Sequence, residues 1–188
     1  MLKKILLVLP LVSVCNGVNF WNTNSQQLPI FTDVDLKLVE EVRIHDDNPD
    51  LFIQYMGLVK PINKEWFMGV YYKYVETLNS NINSNRIVFD VTYKKDWLFN
   101  RFRFEDILET HYWKYRNKIV LSFGETIKPF ISDEVFLSCT NGVFLENRLN
   151  IGFSYSVNTT AKLQLSYMLQ NKKKFEQNVV CFGTSIKF

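Results

Sequence analysis

Two groups of residues in this chain could do chemistry. The first is a pair of histidines. His45 is followed directly by Asp46 and Asp47, and His111 sits in the polar stretch E-T-H-Y. A carboxylate that orients an imidazole is the start of a general acid–base or nucleophilic site. Such a site also needs a Ser, Thr or Cys held by the base, and no nucleophile elbow marks one here. A solvated loop histidine has the same local sequence. The chain carries no H-E-x-x-H pair, no glycine-rich phosphate loop and no other metal-ligand spacing. No catalytic, cofactor or metal residue is assigned, and the expectation is a protein without catalytic activity.

The second group is ionic. Glu41, Arg86, Asp90, Arg101, Arg103, Glu105, Arg116, Glu134 and Arg148 alternate with apolar neighbours. Arg43, Lys73 and Lys118 share the same phase. Charges on one face of alternating segments face either water or a closed interior. In an interior they must pair. These residues are therefore expected to form a structural ion-pair network. An arginine-lined anion site or narrow polar conduit is the other use of the same face.

The elements that must position them are strands. Residues 147–188 show the pattern best. Leu149, Ile151, Phe153 and Tyr155 alternate with polar residues or glycine, as do Leu163, Leu165, Tyr167 and Leu169. Val180, Phe182, Thr184, Ile186 and Phe188 close the chain in the same phase. Earlier runs at 34–44, 51–60, 66–75, 86–94, 98–106, 116–124 and 130–138 repeat it. Period-2 alternation over about ten residues is the signature of a transmembrane β-strand. The expectation is an all-β, antiparallel, up-and-down transmembrane β-barrel of about ten strands with a charged, side-chain-filled interior. Short and longer connections should alternate, and an even count should bring both termini to one rim. Trp66, Tyr74, Tyr93, Trp97 and Tyr155 lie near strand ends, as interface girdles do.

The first residues agree with export. Lys3 and Lys4 precede an apolar run at 5–14, and Cys15 and Gly17 are small residues ahead of a cleavage point. Residues 1–17 are expected to be a signal peptide. Residues 18–33 are polar and read as a periplasmic segment or short strand at the barrel mouth, with the barrel spanning 34–188. The full chain has 22 basic and 19 acidic residues. Without Lys3 and Lys4 the charge falls to about +1, with no basic stripe of the kind nucleic-acid binding needs. Cys139 and Cys181 are expected to be free thiols, on a loop and a strand respectively.

In order along the chain, Phe20-Trp21, Glu41 with Arg43, Gln54, Tyr72 with Tyr74 and Arg101 with Arg103 form a loose series of motifs. Tyr115-Arg116-Asn117, Pro129 with Glu134, Asn147-Arg148-Leu149, and Tyr167 with Gln170 continue it. This series resembles the bacterial domain-of-unknown-function 2490 family of outer-membrane barrels. The resemblance implies a barrel in the outer membrane of a Gram-negative bacterium and implies no activity. The sequence departs from the expected pattern between Trp21 and Val34, where no first hairpin is visible. Asp133 also falls on the lipid side if Glu134 faces inward.

The functional expectation is an outer-membrane barrel that acts as a structural or interaction protein or a narrow pore. Its partners would be outer-membrane lipid and the barrel-assembly machinery. That machinery would read the last strand through Phe182, Ile186 and Phe188. A rim-active, omptin-like or lipid-modifying enzyme is one alternative. A soluble, lipocalin-like carrier is another, because alternation alone does not say which face is inside.

Overall fold

The computed structural model describes residues 19–45, 48–80, 82–172 and 175–188. The expected signal peptide and the two aspartates after His45 lie outside the described residues. Eleven strands follow one another: β1 (Asn19–Phe31), β2 (Val34–His45), β3 (Asn48–Pro61), β4 (Trp66–Thr77), β5 (Ile82–Lys95), β6 (Leu98–Ile107), β7 (Tyr112–Ser122), β8 (Ile127–Ser138), β9 (Phe144–Ser156), β10 (Ala161–Lys172) and β11 (Phe175–Lys187). Each pairs antiparallel with its sequence neighbour, and β1 pairs parallel with β11 to close the barrel. Closure leaves no strand edge unpaired. The strands hold 10 to 14 residues, enough for a tilted crossing, which needs about 9–11.

Two expectations about topology are corrected. Residues 19–31 are neither a loose segment nor a short strand but a full strand of the wall, so the barrel has an odd count. β1 starts beside Val179 and runs parallel to β11. The chain therefore enters at one rim, here the N-terminal rim, and ends at the other, the C-terminal rim. The connections do not alternate in length either: at both rims only two to five residues separate successive strands. The polar residues 83–85 before Arg86 and the N-P-D segment before Leu51 have weak strand propensity. They still extend β5 and β3, because ladder hydrogen bonds to neighbouring strands outweigh it.

Local chemistry fixes the turns. Asn63 accepts the backbone N–H groups of Glu65 and Trp66, both at 2.9 Å. Asn158 accepts those of Thr160 and Ala161 at 2.8 and 2.7 Å. Both are side-chain mimics of a backbone turn. Gly124 takes a φ of 93° between β7 and β8, where a side chain would be strained.

Strand register separates the faces. Ile131, Leu149, Ile151, Phe153, Leu163, Leu165, Tyr167 and Leu169 are exposed, as are Met68, Val70, Phe89 and Phe104 on the opposite wall. Asp133 also faces outward and accepts a 2.5 Å hydrogen bond from Asn147 Nδ2 on the adjacent strand. Trp66 packs against Tyr93 with ring centroids 5.0 Å apart. Trp97, Phe123 and Tyr155 are exposed near the same, C-terminal rim, and Trp113 and Phe144 near the other. Many of the buried positions between them carry charge, Lys73, Asp90, Arg103, Glu105, Arg116, Glu134 and Arg148, among apolar ones such as Ile53, Val88 and Val179. This is the reverse of a soluble carrier, which puts its apolar face inward. Tyr71 helps fill the narrow interior, its ring lying over Gly57 and Gly69, where added side chains would collide with it.

Candidate functional site

The site is the lumen, and its two halves differ. Glu105 on β6 is the focus of the half nearer the N-terminal rim. Its carboxylate is 2.5 Å from Arg116 Nη1, 3.2 Å from Arg86 Nη1, 3.3 Å from Lys73 Nζ and 3.8 Å from Arg103 Nη1. These cations come from four different strands, so one carboxylate ties much of the wall together. Arg103 also grips Asp90 with two bonds of 2.6 and 2.7 Å, the bidentate geometry that makes arginine–carboxylate pairs strong. Arg116 bridges onward to Glu134 at 2.8 Å, and Arg101 reaches the same oxygen at 2.9 Å.

Beside this network the cations rest on aromatic faces. The Arg148 guanidinium lies between Trp21 and Phe136, 4.7 and 4.4 Å from their centroids. Arg43 covers the Trp21 ring at 3.7 Å, and Arg116 covers Phe136 at 4.4 Å. Such contacts add to the carboxylate pairing of these same cations. Arg148 pairs with Glu146, and Glu41 with Arg43 at 2.5 Å.

All nine expected interior residues face inward. Seven of them, Arg86, Asp90, Arg101, Arg103, Glu105, Arg116 and Glu134, share one network. Glu41 and Arg148 pair outside it. Glu134 pairs with Arg116 and Arg101, while Arg148 turns to Glu146 and Arg103 to Asp90. The sequence reading missed Glu146, Lys37 and the aromatic shelf of Trp21 and Phe136. The phase of β2 and β9 could have placed Lys37 and Glu146. Trp21 was hidden because β1 is polar on both faces.

The half nearer the C-terminal rim holds a cavity of about 480 Å³, lined among others by Lys37, Arg101, Lys118, Glu134, Lys162 and Ser185. Its floor is the network around Arg116. Near its mouth Lys162 and Gln164 face inward yet are exposed, so water reaches it from that rim.

The histidines sit at the N-terminal rim. His45 is bonded to the side chains of Asn19 and Gln177, which joins β2 to both strands of the closing seam. His111, at a φ of 48°, lies 3.8 Å from Asp106. Cys139 and Cys181 are free thiols. In the expected assembly strand Phe188 is exposed and its N–H bonds Gln27 O at 2.9 Å. Phe182 and Ile186 are half-buried, not part of the fully exposed belt.

A closed barrel with charge inside and apolar side chains outside defines the class. The chain matches, over residues 18–180, the family model described as protein of unknown function (DUF2490), and it belongs to that family. No curated protein matches the chain.

Proposed function

We propose that this chain is an outer-membrane β-barrel, carried across the inner membrane by residues 1–17 and held in lipid by its apolar outer face. The observation that carries the reading is the inverted arrangement of faces, apolar outside and ionic inside, around a closed barrel. A water-filled pore would leave its lining charges hydrated. Here Glu105 gathers four cations from the contiguous strands β4–β7 into the lumen, and that cluster acts as a stopper. The protein is then a non-conducting structural or interaction barrel without catalytic activity, delivered to the membrane by the assembly machinery.

Fractionation of cells that express the full chain tests this reading. The processed protein should sediment with the outer membrane and, once reconstituted in a planar bilayer, give no steady conductance. Recovery in the soluble periplasmic fraction would overturn it.

A further inference from the structure

We propose that the cavity in the C-terminal half of the lumen binds a small soluble polyanion that carries two or more phosphate groups. The first observation is an excess of cations around an open space. Lys37 and Lys118 line the cavity and form no hydrogen bond or ion pair among the described residues. Lys118 is the register partner of Glu134, yet that carboxylate is already held by Arg101 and Arg116. Glu41, the other acid in the lining, is held by Arg43.

The second observation is unmet donor capacity. The Nε atoms of Arg101 and Arg116 are buried without a hydrogen-bond partner. A buried donor left unpaired is costly, and a cation more so. An anion in the cavity offsets both. Several separated cations with unspent donors suit an oxyanion with many acceptor oxygens better than a single carboxylate. A volume of about 480 Å³ exceeds what one phosphate fills.

The third observation is the approach. Lys94 is within electrostatic reach of Lys128, Lys162 and Lys187. All four face inward close to the C-terminal rim; Lys187 is paired with Asp35 at 3.8 Å, and the other three give an incoming anion a positive field before it reaches the cavity. The mouth lies inside the ring of strands, away from the apolar belt. A free solute can enter there, whereas a lipid headgroup would have to pull its acyl chains into water.

Purified, refolded full-length barrel in detergent, titrated with pyrophosphate at low ionic strength, provides the test independently of where the protein sits in the cell. Wild-type protein should bind saturably, and its melting temperature should rise with ligand. The double variant Lys37→Gln/Lys118→Gln should bind at least tenfold more weakly, while Lys60→Gln/Lys64→Gln, on exposed lysines outside the cavity, should bind as wild type. Lys162→Gln, at the exposed mouth, should weaken binding severalfold and serves if the double variant does not refold. Absence of saturable binding, or equal losses in the Lys60/Lys64 and Lys37/Lys118 variants, would overturn the proposal. So would a Lys37→Gln/Lys118→Gln protein that refolds but melts well below wild type without ligand, because the lysines would then be structural.

Discussion

Glu105 and Glu134 show why charge at the centre of this barrel is organised and not merely tolerated. Each carboxylate serves cations from more than one strand, so its removal strands arginines in a space that water barely reaches. Truncating one partner of such a pair costs about 3–5 kcal/mol. Glu134→Ala should lower stability by that amount in urea unfolding from lipid vesicles, and Glu105→Ala by at least as much. An unchanged midpoint would mean that the arginines find other partners. Glu109, between β6 and β7, gives a pH-dependent case. It accepts the Asn85 backbone N–H at 2.7 Å and its side-chain amide at 2.8 Å. The Asn85 backbone bond, first among the causes, holds the carboxyl below its ordinary value. A lowered folded value means that the tie is fully present above the usual glutamate range, near about 4.3, and is lost as the pH falls through the folded value. The Asn85 amide should lose exchange protection over that acid window. Glu109→Gln should remove the pH dependence. The interior residues were legible because strand phase fixes their side. Their partners were not, because pairing between neighbouring strands depends on their register, which no single strand's sequence records.

At the scale of elements, β1 is the instructive strand. Its outward positions Asn24 and Gln26 are polar, and Asn22 is polar and buried, so the alternation that reveals a lipid-facing strand is absent. Its place is set instead by two ladders and by the Thr184 hydroxyl, which donates to Asn24 Oδ1 at 2.5 Å across the parallel seam. The other ten strands were readable because apolar and polar side chains alternate along them in sequence. A parallel register at the seam predicts a cross-link. With Cys139 and Cys181 replaced by serine, Asn24→Cys and Thr184→Cys should oxidise to an intramolecular disulfide, since paired Cα atoms lie within the roughly 4.4–6.8 Å such a bond spans. Failure to cross-link in the folded protein would contradict the eleven-strand closure. β11 carries a second prediction. An assembly factor that pairs with an exposed edge strand reads alternate side chains. Deleting Phe188 should therefore slow insertion and leave unassembled chains in the periplasm. Equal amounts of full-length and truncated protein in outer-membrane extracts would show that the signal lies elsewhere.

For the whole molecule, the distribution of charge matters more than its sum. The net charge is small, yet inward-facing lysines and arginines far outnumber inward-facing acids, and several acids, Glu40, Asp106 and Asp133 among them, face outward. Composition conceals that segregation, and only the folded register displays it. A basic lumen stoppered near one rim and open near the other is therefore a property of the closed barrel, not of any strand. The apolar belt is likewise a property of the closed wall, and it carries the central claim. With Cys139 and Cys181 replaced by serine, single cysteines at Ile151, in the middle of the belt, and at Lys162, at the lumen mouth, can each carry a spin label in the reconstituted protein. The most direct measurement is the collision rate of each label with oxygen, which concentrates in lipid, and with a water-soluble nickel chelate. The label at 151 should meet oxygen and not nickel, and the label at 162 should meet nickel far more readily. A label at 151 that collides freely with nickel and shows no excess of oxygen would mean that the belt faces water, and the membrane barrel would be the wrong description.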